Sequence, residues 1–449
     1  MKIVQAVGWY YPDSIGGTEI YVAELARQLR GCGHDVLVAA PEPGVRSPRT
    51  YDLDGCVVFR YPVPEFATRE EAQGDAIVRG AEHFHSWLGE VRADIVHFHT
   101  FVTGLGLQEV LAARRAGSRV IVTTHSSSLG FLCQRGTLMW QGRTICDGRV
   151  DVRRCAECEL EHRGAGPGAA HALAAVPAWL AAFARSLPGP VGTAMAMTDL
   201  IERNDLRQRA MLDIVERFVV LTQRAADIVI ANGAPPEKVV VNRLGVSEPI
   251  SPRPPSGPRR HVRIGYVGRL DPIKGVLDLA DAIQRVPRDV PMRVEFRGPA
   301  QTQADRETKA TIAARLSGDA RVMLAEAVSP SSIPNVIGSY DVLCCPSRCL
   351  EGGPTAGLEA MAAGVPVIAA SVGGVAEVVE DGVNARLVPP GDVDRLAAAL
   401  IEVATHPEET IDRWREHLPR PRTMREVARL PCPVCPLRTP CPRPSSRAC

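Results

Sequence analysis

The sequence predicts an α/β protein built from two doubly wound, parallel-sheet domains. Three observations carry that expectation. Short apolar runs alternate with helical patterns, as in strand–helix–strand units. The alternation occurs twice, once in each half of the 449 residues, a length sufficient for two or three domains. Between the halves lies "PISPRPPSGPRR" (249–260), whose five prolines fix φ and remove hydrogen-bond donors, so it reads as an extended linker.

In the first half the expected strands are "KIVQAVG" (2–8), "DVLVAA" (35–40), "CVVFRYP" (56–62), "DIVHFHT" (94–100), "RVIVTTH" (119–125) and "RFVVLT" (217–222). Between the first two, Ile20, Ala23, Leu25 and Leu29 fall near one helical face, and Gly31 and Gly33 supply the stop. In the second half the strands are "VRIGYVG" (262–268), "RVEFRG" (293–298), "RVMLAE" (321–326), "DVLCCPS" (341–347), "VPVIAAS" (365–371) and "ARLVPP" (385–390). Helices fit 275–286, 304–317, 331–339, 355–363 and 392–404. Ligands of such sheets bind at the carboxyl ends of the strands, so a cleft between two such ends is the expected site.

Bulk properties exclude several classes. The formal net charge of +1 gives no electrostatic case for a nucleic-acid partner. No run of eighteen apolar residues exists, so no membrane span is predicted. The most apolar stretch, "HALAAVPAWLAAFARSLPGPVGTAMA" (171–196), reads either as a core or interdomain helix pair or as a face that touches lipid or an apolar acceptor. The start "MKIVQAVGWYYP" lacks the features of a secretory signal. The expected location is the cytoplasm, at the inner face of the membrane if that face meets lipid. The thirteen cysteines are then expected as thiols or metal ligands.

The chemistry-bearing residues concentrate in the second half. In "YVGRLDPIKG" (266–275) a strand ends at Gly268 and is followed by Arg269 and Lys274. Such a pair is either solvated or a clamp on a diphosphate, with Arg offering a planar fork and Lys a point charge. In "EGGPTAGLEAMAAG" (351–364), Glu351 lies in a loop and Gly352 and Gly353 precede Pro354, which suits a first helical position. Free amides around Gly353–Ala356 at a helix start admit a phosphate. Glu359 stands about 7.5 Å along that helix. Two acids so spaced either cap and solvate, or grip hydroxyls on both sides of a phosphate, each charge-assisted bond contributing roughly 1.5–3 kcal/mol.

These segments resemble the donor-binding region of retaining glycosyltransferases of the GT-B fold. The likeness runs through "EGGPTAGLEAMAAGVPVIAASVGGVAEVVEDGVNARLVPPGD" (351–392), "GYVGRLDPIKG", "DVLCCPS" and the loop "YPDSIGGTEIYVAELARQL" (11–29), and covers most of residues 1–405. It implies an acceptor-binding domain over 1–250, a linker at 251–260, a nucleotide-sugar-binding domain over 261–405 and a tail at 406–449. By resemblance, Arg269 and Lys274 match the diphosphate-binding pair. Glu351 matches the acid on the transferred sugar, and Glu359 the acid on the nucleotide ribose. Gly16 and Gly17 match the loop whose amides approach phosphate and acceptor, and His125 matches a histidine facing the donor sugar. His97 and His99 are read as structural. The implied substrates are a nucleotide-diphosphate sugar and a hydroxyl acceptor, with no metal at the catalytic centre. An epimerase on the same fold and a non-catalytic Cys-rich scaffold are the alternatives.

Two segments depart from the pattern. Cys133, Cys146, Cys155 and Cys158 lie in an insertion over 133–158 directly after the His125 segment. A tetrahedral structural zinc, unligated thiols and a redox role are the readings it allows. At the end, "PRPRTMREVARL" begins a plausible helix returning to the first domain. "PCPVCPLRTPCPRPSSRAC" (431–449) cannot continue it, and reads as a disordered segment, a second metal site or the product of a shifted frame.

Overall fold

The computed structural model describes residues 1–14, 16–125, 133–247, 250, 259–300, 302–353 and 355–429. Most of the Pro-rich linker, Pro354 and the tail from 430 lie outside the described residues. In chain order the strands are β1 (Lys2–Ala6), β2 (Asp35–Pro43), β3 (Arg49–Leu53), β4 (Cys56–Val63), β5 (Ile95–Phe98) and β6 (Arg119–Thr124). A hairpin, β7 (Met139–Trp140) and β8 (Thr144–Ile145), follows, then β9 (Arg217–Val220) and β10 (Val239–Val241). The second half holds β11 (Val262–Val267), β12 (Met292–Arg297), β13 (Val322–Ala325), β14 (Val342–Cys345), β15 (Val367–Ala370) and β16 (Ala385–Val388).

The chain divides into two compact units. Of the described residues, the first takes those up to Gly136, Asp147–Asn242 and Met424–Arg429; the second takes Thr137–Cys146 and those of Arg243–Thr423. Two pieces therefore sit in a different unit from their sequence neighbours: the β7–β8 hairpin and the helix Met424–Arg429.

In the first unit the sheet order is β10-β9-β6-β5-β1-β2-β4-β3. All neighbours run parallel except β3, which pairs antiparallel with β4. The chain winds outward from β1 in one direction, then from β5 in the other, so the order reverses between β1 and β5, where Ala6 stands opposite Phe98. Near-continuous Val and Ile runs suit strands buried on both faces. Ile3, Val4, Ile95, Val96, Val120 and Ile121 are fully buried. The helix Gly17–Gly31 lays Tyr21, Val22, Leu25, Ala26 and Leu29 inward. The returning helix Met424–Arg429 packs on it and buries Met424 and Val427.

In the second unit the order is β13-β12-β11-β14-β15-β16, all parallel. Counted within the unit this is 3-2-1-4-5-6, the doubly wound dinucleotide order, reversing between β11 and β14. Its core joins Val262, Ile264, Val294, Phe296, Val342 and Ile368 to Leu279, Ile283, Leu396, Leu400 and Trp414 of the covering helices. Asp341, almost fully buried, is held by Arg263 at 3.0 Å and Arg259 at 3.4 Å, which fastens the start of β14.

The apolar stretch 171–196 forms short helices, Pro167–Ala174, Ala178–Ala181 and Gly189–Met195, with a 3₁₀ turn at Ala182–Ser186. Its small residues Ala174, Ala181 and Ala184 are buried, but Trp179 is 70% exposed, Phe183 75% and Val191 70%. The large side chains thus face outward, which a core helix pair would not do. Among the described residues no single helix is long and apolar enough to cross a membrane.

Candidate functional site

The second unit gathers the expected donor residues at its switch point. The chain leaves β11 through Gly268, whose φ of +156° suits glycine, and whose amide donates to Arg297 O at 3.0 Å. The Tyr266 hydroxyl donates to Arg269 O at 2.6 Å and pins the loop from below. Asp271 then caps a 3₁₀ turn, Pro272–Lys274, by accepting from the Ile273 amide at 3.0 Å. Gly275 closes the turn at φ +73°, where a Cβ would overlap Pro346 O. This close approach brings the segment after β11 against the segment after β14, and Arg348 N donates to Ile273 O at 2.8 Å.

Lys274 and Glu351, 77 residues apart, meet there: Nζ lies 2.7 Å from Oε1. Ser347 Oγ donates to the same oxygen at 2.7 Å, and Cys349 Sγ stands 3.6 Å from it. Burial works against the Lys274 ammonium, but the Glu351 carboxylate outweighs it and raises the Lys274 pKa. The Cys349 thiol is pushed up by burial and then by Glu351, so it stays protonated beside the pair. Arg269 is half exposed, with Nη2 3.8 Å from Asp271 Oδ2, and its charge is felt at Lys274. Arg269 and Lys274 thus supply one loosely held and one firmly held cation at the same sheet edge.

The loop carrying Glu351 is fixed by a second backbone contact. Gly374 N donates to Glu351 O at 2.9 Å, and a Cβ on Gly374 would overlap Gly352 O. A Cβ on Gly373, at φ +82°, would come 2.7 Å from Glu351 O. The chain then passes through Gly353, at φ +142°, into the helix Thr355–Ala362. Glu359 on this helix is partly buried, and its carboxyl makes no hydrogen bond or ion pair with any described residue. Burial pushes its carboxyl up to about 7. A lone carboxyl in that state is ready to accept hydroxyl donors.

In the first unit Gly16 is the N-cap of the helix Gly17–Gly31. Nothing stands within 4 Å of a Cβ on Gly17, whereas one on Gly16 would come 2.7 Å from Glu19 Oε2. Glu19 also accepts from Ser14 Oγ at 2.8 Å, so the first turn carries its own buried acid. His125, just past β6, joins His99, just past β5: its Nε2 lies 3.1 Å from His99 Nδ1, and His99 Nε2 lies 2.6 Å from Gln5 Oε1. Tyr21 packs edge-on against His125 at 4.7 Å between centroids. Burial holds His97 and His125 down at about 3 and His99 well below the usual imidazole range, so all three are neutral near pH 7. His99, read from the sequence as structural only, is thus the direct support of His125.

The cysteine quartet is not brought together. Among the described residues no three His, Cys, Asp or Glu side chains converge as a metal-holding group. Cys155 and Cys158 share the helix Val152–His162, whereas Cys146 follows the β7–β8 hairpin in the other unit. The sequence does not reveal that Cys146 belongs to a different unit from Cys155 and Cys158, and the zinc expectation is unsupported. Cys32 is disulfide-bonded, against the expectation of thiols or metal ligands.

Ser347, Tyr266, Gly275, Gly373 and Gly374 were not singled out from the sequence as site residues. The Gly-Gly pair carried a signal in the resemblance, but its reach to Glu351 is tertiary.

Two doubly wound, parallel-sheet units, the second with Arg269, Lys274 and Glu351 gathered at its switch point, have the GT-B architecture. The chain belongs to the group 1 glycosyltransferases: that family's model matches residues 261–406, and the glycosyl transferase 4-like domain matches residues 16–245. It is 28% identical over 410 residues to the MMP alpha-(1->4)-mannosyltransferase of Mycolicibacterium hassiacum, covering 88% of this chain and 87% of that protein. Among solved structures, sucrose-phosphate synthase from Thermosynechococcus elongatus matches with a TM-score of 0.65 at 16% identity, covering 95% of this chain and 96% of that one. Anabaena HepE, in complex with UDP and glucose, matches at 0.61 and 16%, covering 95% and 97%.

Proposed function

We propose that the protein is a retaining glycosyltransferase that moves a hexosyl unit from a nucleotide-diphosphate sugar to a hydroxyl of a saccharide or related acceptor. The observation that carries this reading is the Lys274–Glu351 pair at 2.7 Å, at the sheet edge where Arg269 adds a second cation. The mannosyltransferase relative and the complex of HepE with UDP and glucose support it by analogy.

Breaking the anomeric C–O bond leaves its electron pair on the diphosphate oxygen and positive charge on the sugar. Arg269 and Lys274 meet the negative charge, and preorganised donors of this type commonly contribute about 10²–10³ in rate each. Glu351 holds sugar hydroxyls, with Ser347 and Lys274 fixing its carboxylate, and Glu359 accepts the ribose hydroxyls. His125, neutral and braced by His99, faces the sugar. The acceptor oxygen bonds to the anomeric carbon on the face the diphosphate leaves, and its proton passes to the departing phosphate. Retention follows from that same-face geometry, and no side chain is needed as general base.

The test is a thermal-shift screen with UDP, GDP, ADP and their sugars, followed by transfer assays with the stabilising donor. Product anomers are read by proton NMR. Glu359→Ala is expected to weaken nucleotide binding about tenfold. Lys274→Ala is expected to lower turnover by about 10² with little change in nucleotide affinity. Equal activity in both variants and the parent, or an inverted product, refutes the proposal.

A further inference from the structure

Around the switch point of the first unit the core is polar. Gln5 sits on β1 between the apolar Val4 and Ala6, opposite His97 of β5. His99 follows β5, Thr123 lies on β6 and His125 follows it. Gln5, His97, His99 and Thr123 are almost fully buried. Strands covered on both faces ordinarily fill such positions with Val, Ile or Leu. Two atoms of the cluster go unpaired: Gln5 Nε2 and His97 Nδ1 make no hydrogen bond with any described residue. A buried polar atom without a partner costs stability. Packing alone therefore does not account for the cluster.

Its hydrogen bonds have a direction. Gln5 Oε1 lies 2.6 Å from His99 Nε2. A carbonyl oxygen only accepts, so His99 Nε2 carries the ring proton. Burial keeps the three histidines neutral near pH 7, and a neutral imidazole has a single N–H. His99 Nδ1 is therefore bare, and His125 Nε2, 3.1 Å away, donates to it. The one ring proton of His125 is committed to His99, and His125 Nδ1 is left as a lone pair. The opposite tautomers would set a bare His99 Nε2 against the Gln5 oxygen, two lone pairs facing each other at 2.6 Å. Tyr21 packs edge-on to His99 at 5.9 Å and to His125 at 4.7 Å between centroids, which restrains both rings.

We propose that Gln5 and His99 are positioning residues: through two hydrogen bonds in series they fix the tautomer of His125, so that its Nδ1 accepts from a hydroxyl of the transferred sugar. The fixing of the ring stands on the cluster alone; the hydroxyl as its ligand rests on the transferase reading. A site built to take a hydroxyl proton discriminates against a sugar that lacks that hydroxyl.

The experiment is NMR of the full-length protein labelled with nitrogen-15 histidine, in which long-range proton–nitrogen correlations distinguish the two tautomers. His125→Gln and His99→Gln assign the signals. Both rings of the parent are expected to be protonated on Nε2. Gln5→Met removes the acceptor at similar volume, so both rings should also populate the second tautomer. Thr123→Val removes the hydroxyl 2.7 Å from His97 Nε2, lies outside the relay and should leave His125 unchanged. A parent His125 protonated on Nδ1, or one and the same tautomer in the parent and Gln5→Met, overturns the proposal. The parent measurement needs no variant at position 5, so the proposal stays refutable should Gln5→Met fail to fold. Calorimetric titration with UDP, UDP-glucose, GDP and GDP-mannose reads the role in binding. Gln5→Met is expected to weaken the nucleotide sugar that the parent binds about fivefold, and to leave the matching nucleotide diphosphate unchanged. Equal weakening of both forms, or of neither, overturns the contact with the sugar. If none of the four binds the parent, the donor reading fails, and the NMR comparison still decides the relay.

Discussion

Glu359 and Glu351, two carboxyls eight positions apart, meet very different surroundings. Glu351 has Lys274 and Ser347 on one oxygen, whereas Glu359 has burial alone and is pushed up to about 7. A carboxyl raised above its unfolded value of 4.5 binds an extra proton in the native state between those two values. Stability is therefore lost as pH rises through that window, and the full cost is present above pH 7. Glu359→Gln removes the cost, so it is expected to be more stable than the parent at pH 8, by ~2–3 kcal/mol. At pH 4.5 the gain should vanish. Urea denaturation at the two pH values checks both statements. Glu351, Arg269 and Lys274 stand out in the sequence because a charged residue beside a glycine after a strand is locally visible, and Glu359 because it lies on the helix that follows the same glycines. Ser347 and His99 do not: their importance lies in which side chain they touch, Glu351 and His125.

The elements themselves were largely legible, because strands buried on both faces leave unbroken Val and Ile runs. All twelve expected strands exist. Those missed are β3, a polar antiparallel edge whose "RTYDL" lacks an apolar run; the two-residue strands of the hairpin; and the short β10. What the strand pattern cannot show is how closely the connecting loops approach. The Gly374 backbone lies against the Glu351–Gly352 peptide, and this is the contact that aims the Glu351 loop. Gly374→Ala forces a methyl into the Gly352 carbonyl, with backbone displacement costing about 1–3 kcal/mol. It is expected to lower the melting temperature and weaken nucleotide binding, read by thermal shift with and without UDP. Ala at Gly17, where no atom lies within 4 Å of a Cβ, is the steric control and should leave stability nearly unchanged.

At the scale of the molecule the chain changes unit four times, after Gly136, Cys146, Asn242 and Thr423. Only the third change, near the Pro-rich linker, is marked in the composition. The others were illegible because nothing local distinguishes a hairpin or helix that belongs to one unit from its neighbour in sequence. The expected returning helix is present at Met424–Arg429, and it completes the packing of the helix Gly17–Gly31 by burying Met424 and Val427. Ending the chain at Thr423 should destabilise the first unit by ~3 kcal/mol from the loss of these two side chains. Hydrogen exchange should show the helix Gly17–Gly31 losing protection while β11 and β14 keep theirs.

The outward-facing Trp179, Phe183 and Val191 have a practical consequence at the bench. Three bulky greasy side chains within thirteen positions invite self-association as the sample is concentrated. Light scattering is expected to show particle size rising with concentration, and a mild detergent or Trp179→Ser combined with Phe183→Ser should return the protein to a single sharp species.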